Sequence, residues 1–164
     1  MAKLYFKYGA MGSSKTANAL ITKFNYEERG MHVWLIKPAI DTRDGAGVIR
    51  SRIGLEAEAQ IDQLRHIVDE LDLPVLCFGL RTDFMTRQFC GSRRLFEVAD
   101  SITEIKTICT CGKKAIVNAR IDEQGRVVTT GGQILLGGND SYVAMCHSCW
   151  KQAIAAQESE GAHD

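Results

Sequence analysis

Apolar positions fall into two kinds of pattern along the first hundred residues. Leu4-Tyr5-Phe6 and Val33-Trp34-Leu35-Ile36 are short unbroken runs, predicting strands over residues 3–8 and 32–37. The second is ended by Pro38, which biases the preceding residue away from a helix. Between them Ala19, Leu20, Phe24 and Tyr26 recur at helical spacing, predicting a helix over 15–29 stopped by Gly30. Strand, helix and strand form a βαβ unit, expected to be parallel and right-handed. Residues 41–47 are polar and glycine-rich and read as a loop. Ile61, Leu64, Val68 and Leu71 predict a helix over 60–71, and the apolar run 75–79 after Pro74 predicts a buried parallel strand. Residues 82–99 alternate between loop and helix character.

The last third changes style. Short strands are predicted over 105–108, 115–121 and 133–136, separated by turn residues such as Glu123-Gln124-Gly125, with a helix over 148–156. The expected fold is α/β. It has a parallel sheet with its helices over 1–104, a small β-rich part over 105–157, and a disordered tail over 158–164.

Composition narrows the function classes. An apolar fraction of 45% supports a real core, and 20 basic against 20 acidic residues leave no field that would gather nucleic acid or an anionic membrane. No stretch is long and apolar enough to span a bilayer. Lys3 and Lys7 break the first apolar run, so no signal peptide is expected and the anticipated compartment is the cytoplasm. Six cysteines in that compartment point to metal or free thiols rather than disulfides. Lys106, Lys113, Lys114 and Arg120 are grouped near the cysteines and read as a solvated basic face.

The candidate chemistry begins at Gly9-Ala10-Met11-Gly12-Ser13-Ser14-Lys15-Thr16, between the first strand and the first helix. This is where a phosphate-binding loop (P-loop) sits: small residues let backbone N–H groups close around phosphate oxygens, and the helix points its positive end at the same anion. Lys15 would reach the outer phosphates of ATP, and the Thr16 hydroxyl would ligate a phosphate-bound Mg²⁺. Ser14 occupies the place of the second glycine in the Gly-x-x-x-x-Gly-Lys-Ser/Thr pattern, where a positive φ would cost serine more than glycine. The competing reading is an ordinary Gly/Ser turn that opens a helix.

Cys109-Thr110-Cys111 and Cys146-His147-Ser148-Cys149 are two close pairs that can bring four thiolates to one tetrahedral zinc. Four protein ligands make a closed site, hence a structural one. His147 is an alternative to one thiolate, and free, partly buried thiols are the alternative to metal. Cys77 and Cys90 lack partners at ligand spacing and read as packing or incidental residues.

The chain resembles the type II thymidine kinase family. The resemblance rests on residues 9–16, Lys37-Pro38-Ala39-Ile40-Asp41-Thr42-Arg43, Ser51-Arg52-Ile53-Gly54, Gly79-Leu80-Arg81-Thr82-Asp83-Phe84, the Cys109/Cys111 pair, and Gly137-Gly138-Asn139-Asp140-x-Tyr142 leading into Cys146 and Cys149, in family order over nearly the whole chain. It implies transfer of the ATP γ-phosphoryl group to the 5′-hydroxyl of thymidine, with Mg²⁺, structural zinc and a homotetramer. It places Asp41 and Arg43 near the phosphates or metal. Leu80, Phe84 and Phe89 become an apolar wall around the thymine, Gln133, Ile134, Leu135, Leu136 and Gly137 meet the base edge through backbone groups, and Tyr142 closes the pocket. Taken singly, Phe84 and Phe89 also read as core residues, and Asp41-Thr42-Arg43 as a solvated turn.

One departure stands out. The family carries a buried strand ending in an Asp-Glu-x-Gln-Phe type motif before the helix at 60–71, and here Gly54-Leu55-Glu56-Ala57-Glu58-Ala59-Gln60 runs straight into that helix. The motif would supply the carboxylate that orients Mg²⁺ and the general base. No residue is assigned as that base; Glu56, Glu58, Asp41 and Asp83 are the remaining carboxylates. Either a segment of the molecule lies outside this sequence, or the chain is a nucleotide-binding relative with impaired catalysis. Loss of a central parallel strand would bare apolar faces, which favours the first.

Overall fold

The computed structural model describes residues 1–36, 58–133 and 141–161. In chain order the elements are β1 (Leu4–Tyr8), α1 (Lys15–Glu27), α2 (Glu58–Leu71), β2 (Val75–Gly79), α3 (Cys90–Val98), β3 (Ser101–Glu104), β4 (Val117–Arg120), β5 (Tyr142–Met145) and α4 (His147–Gly161). They fall into two compact units. The first comprises Met1–Tyr8, Ser14–Leu80 and Phe89–Ile105; the second comprises Gly9–Ser13, Arg81–Gln88 and Lys106–Asp164.

The first unit is a parallel sheet of order β2-β1-β3. Leu4 and Phe6 alternate along β1 and share one face with Cys77 of β2. That face meets Ile61 and Val68 of α2 and Leu95 of α3, all buried. The Cys77 thiol belongs to this core, and burial pushes its pKa up to about 12, so it is an inert packing group. Asp100, just before β3, accepts the Leu4 N–H at 2.7 Å and pairs with Arg65 at 2.7 Å, tying the start of β1 to α2.

Three expectations shift here. β3 forms over Ser101–Glu104 and joins the parallel sheet beside β1, whereas the expected strand lay at 105–108. Pairing decides this: β1 offers its edge to residues 101–104, and the strand ends as Ile105 N–H bonds to the Tyr8 carbonyl. Residues 32–36 are not a strand; Trp34 is 87% and Ile36 74% exposed. A strand needs a neighbour for its N–H and C=O groups, and among the described residues none pairs with this run. The helix α1 is where expected, with Gly30 at φ 76 behind it, but it buries no residue: Leu20, Ile21 and Phe24 are 44%, 59% and 59% exposed.

The second unit holds an antiparallel pair, with Val117↔Met145 and Arg120↔Tyr142 in register. All four residues of β4 are buried. Gln157 of α4 receives the Val127 N–H at its Oε1 and donates to the Val127 carbonyl, fastening the helix to the loop after β4. The helix continues through residues 158–161, where the sequence predicts disorder; the Ser159 hydroxyl bonds to the Ala156 carbonyl at 2.7 Å.

Candidate functional site

The glycine-rich loop follows β1 directly. Gly12 has φ 70 and Ser14 has φ 58, both left-handed, while Ser13 between them does not. Left-handed residues flanking one of the other hand are a backbone form found in anion-binding turns. Ser13 N–H closes a turn onto the Ala10 carbonyl. Ser14 is the N-cap of α1 but its side chain makes no cap hydrogen bond, and the first turn carries no acidic residue. Lys15 and Thr16 are the first two residues of the helix. The backbone of Met11 is held from outside the loop: its N–H donates to Asn118 Oδ1 at 2.7 Å, and Asn118 Nδ2 donates to the Thr82 carbonyl at 2.7 Å. Asn118 is 2% exposed, so this buried amide fixes one residue of the loop to β4 and to the 81–88 turn. The sequence reading missed Asn118 because a strand buried on both faces has no alternation to mark a polar position.

The 81–88 turn is built on Asp83. Its Oδ1 accepts the N–H groups of Met85 and Arg87, both at 2.9 Å, and its Oδ2 accepts Gln133 Nε2 at 3.0 Å. Thr82 and Gln88 form a bridge across the turn, and Thr86 takes φ 64 at its tip. Asp83 is 2% exposed, with both oxygens engaged, so it is a turn-forming carboxylate rather than a spare base.

Arg120 stands at the centre of this group, only 7% exposed. That corrects its placement on a solvated basic face; Lys106, Lys113 and Lys114 are exposed, Arg120 is not. Its guanidinium carbon lies 3.8 Å from the Phe84 ring centroid and 5.4 Å from that of Tyr142. Nε and Nη2 donate to the Tyr142 hydroxyl at 3.1 and 2.9 Å, Nη1 to the Gly132 carbonyl at 3.0 Å, and Nη2 to the Gln133 carbonyl at 3.3 Å. Three of the expected base-binding residues, Phe84, Gln133 and Tyr142, are thus gathered around one side chain. Leu80 and Phe89 belong to the first unit, where the Leu80 carbonyl accepts the Ser92 hydroxyl and Phe89 precedes α3. Asp41, Arg43, Ile134, Leu135, Leu136, Gly137 and Glu56 lie outside the described residues.

The four cysteines meet. The sulfurs of Cys109, Cys111, Cys146 and Cys149 all lie within 4.8 Å of one another, and those of Cys111 and Cys146 are 3.6 Å apart. Tetrahedral zinc with Zn–S near 2.3 Å needs sulfurs about 3.8 Å apart, so this donor set fits. Cys149 completes the set and His147 does not; its ring instead lies 5.6 Å from Trp150. A tight turn carries the first pair: Gly112, at φ 82, gives its N–H to the Cys109 carbonyl, and Cys109 N–H bonds to the Lys113 carbonyl. The second pair opens α4, with the Cys149 N–H directed at Cys146 Sγ at 3.4 Å. N–H groups of Cys111 and Cys146 pull the Cys109 thiol down to about 6, poising it as a thiolate ligand. Around the cluster pack Ala115, Ala144 and Met145.

Comparison with known proteins agrees with these features. A sequence profile of the family described as thymidine kinase matches residues 2–67 and 57–150. The thymidine kinase of Vibrio cholerae serotype O1 is 41% identical over 190 residues, covering 94% of this chain and 99% of the relative. That of Yersinia pestis is 41% identical over 192 residues (95% and 98%), and that of Legionella pneumophila strain Paris 42% over 194 (96% and 93%). The profile matches in two pieces rather than one. The two profile matches share residues 57–67, which puts the break beside the junction where a strand and its acidic motif were expected. With the profile matched from residue 2 to 150 and identity sustained along nearly all of each relative, the chain belongs to the thymidine kinase family.

Proposed function

We propose that the chain binds ATP with Mg²⁺ and thymidine, and transfers the γ-phosphoryl group to the 5′-hydroxyl of the nucleoside. The observation that carries this reading is the sustained identity to thymidine kinases. The loop over residues 9–16 supports it, with left-handed Gly12 and Ser14 ahead of Lys15 and Thr16. There backbone N–H groups and Lys15 would hold the phosphates, and the Thr16 hydroxyl a phosphate-bound magnesium. The thymine would lie against Phe84 and Tyr142, its edge read by the backbone from Gln133 to Gly137; Leu80, Phe89, Asp41 and Arg43 complete the proposed contacts. The four cysteines would hold zinc as a staple of a unit with a small core of its own. A zinc-bearing part over 105–157, a homotetramer and a cytoplasmic setting belong to the same reading.

The absence of the acidic motif between Gly54 and Gln60 favours a second reading: a relative that binds nucleotides but transfers phosphoryl groups poorly. Incubation with thymidine, ATP and Mg²⁺, followed by chromatography for thymidine monophosphate, separates the two when paired with calorimetric titration of each ligand. Product formation supports the first reading; binding of both ligands without product supports the second. Lys15→Ala should remove ATP binding with the fold intact, and retained affinity would refute the assignment of the loop.

A further inference from the structure

We propose that Arg120 is the positioning residue that assembles the nucleoside wall. The inference rests on the assignment of Phe84, Gln133 and Tyr142 as thymine contacts. The three come from distant parts of the sequence: the 81–88 turn, the stretch after β4, and the first residue of β5. Asp83 beside Phe84 ties the turn to Gln133, and Arg120 reaches all three residues at once. Arg120 does so with three different parts of one planar group. Its face lies on the Phe84 ring, its Nη edge grips the carbonyls of Gly132 and Gln133, and its Nε side holds the Tyr142 hydroxyl. Only a rigid, planar fork with five N–H donors can meet all of these at once; a lysine ammonium is a point donor on a flexible stem.

Two further features show that the surroundings are shaped around this side chain. Gly131 takes φ +123, a conformation that residues with a Cβ rarely adopt, so the turn that presents the Gly132 carbonyl beside Arg120 Nη1 requires glycine. Cross-strand pairing sets Arg120 opposite Tyr142, which fixes the distance from guanidinium to phenol. The acceptors named are neutral oxygens. A cation this deeply buried and held by neutral partners is a costly way to build a core, and a hydrophobic residue of similar volume would pack there at lower cost. What it provides is orientation: two backbone carbonyls and a phenol fixed by one plane.

The test uses the full chain and three variants: Arg120→Lys, Arg120→Met and Tyr142→Phe. Thymidine and ATP affinities are measured by calorimetry, and the Gln133 amide and the Phe84 and Tyr142 ring resonances by NMR without ligand. Arg120→Lys is expected to weaken thymidine at least tenfold, to leave ATP within twofold, and to displace all three sets of resonances. Tyr142→Phe, which removes one acceptor and keeps the ring, should shift the Gln133 amide through Arg120. Arg120→Met should weaken thymidine as much as lysine does, since it too lacks the fork. Thymidine binding by Arg120→Lys within twofold of the parent would overturn the proposal, as would a parallel loss of thymidine and ATP affinity tracking a lowered melting temperature. A parent chain that takes up no thymidine, with the resonances still displaced together by Arg120→Lys, would remove the substrate assignment and leave the assembly role of Arg120 supported.

Discussion

Replacing Ser14 with glycine should stabilise the protein, against the usual effect of placing glycine at a helix start. Serine is favoured at an N-cap when its backbone is extended and its hydroxyl accepts an N–H of the first turn, an arrangement worth about 1 kcal/mol. Neither condition holds here. Ser14 has φ 58 and ψ 27, and its side chain makes no cap hydrogen bond. The left-handed conformation costs a residue with a Cβ about 1–2 kcal/mol, whereas glycine adopts it freely. Glycine loses more freedom on folding, which returns about 0.5–1 kcal/mol of that gain. Ser14→Gly should therefore gain about 0.5–1 kcal/mol, or about 1–4 °C in melting temperature for a chain of this size. Ser14→Ala is the control: it keeps the Cβ and its strain and discards a hydroxyl that caps nothing, so it should melt close to the parent. Scanning calorimetry of the three proteins decides the matter. A Ser14→Gly variant less stable than the parent would refute the argument, because it would mean that the hydroxyl carries an interaction larger than the strain.

Other outcomes follow from particular contacts. A strong chelator should strip one zinc per chain and unfold the second unit with it, read as released metal and lost ellipticity, since structural zinc supplies folding free energy of order 10 kcal/mol; no metal in a folded preparation would contradict the four-thiolate site. The Leu4 N–H and the Arg65 guanidinium hold the Asp100 carboxyl below its ordinary value of 3.8. Its contribution is therefore complete above that pH and is lost as pH falls through the folded value. The stability gap between parent and Asp100→Asn should be constant near neutrality and close on acidification below about pH 3.8, measured by urea melts across pH; a gap that widened in acid would reverse the assignment.

The parts legible in the sequence were those where local pattern and tertiary packing demand the same thing. The run at 75–79 is buried and parallel, as a continuous apolar stretch should be. The four cysteines converge because a turn and a helix start each hold two of them at ligand distance. Residues 101–108 carry isoleucine at 102, 105 and 108, a spacing of three that fits no strand period; only the edge of β1 selects Ser101–Glu104. Arg120 was opaque for a different reason. Its charge argues for solvent, and its burial follows from Phe84, Gly132, Gln133 and Tyr142, which no window around residue 120 contains.

The strand expected at 32–37 is the most instructive difference, because its pattern is sound and its partner is what is missing. Val33-Trp34-Leu35-Ile36 is apolar enough for a buried strand, yet Trp34 is 87% exposed. The helix α1 before it shows Leu20, Ile21 and Phe24 to solvent, and β2 ends the sheet with its outer edge unpaired among the described strands. These three features lie in the unit where the profile match breaks, beside residues 57–67, and where the family's buried strand and acidic motif are absent from this sequence. A parallel strand with its crossover takes about 30 residues. Splicing the relative's strand-bearing stretch ahead of α2, before Glu58, should therefore supply the neighbour that residues 32–36 need and cover α1. Burial of even two of these exposed side chains, at about 1.5–3 kcal/mol each, would raise the melting temperature by roughly 6 °C or more. Trp34 is the reporter: its emission should shift to the blue in the spliced chain, and Trp34→Phe should abolish the shift and leave the signal of Trp150. An unchanged Trp34 spectrum in a folded spliced protein would show that the exposed face belongs to this chain for reasons other than the absent strand.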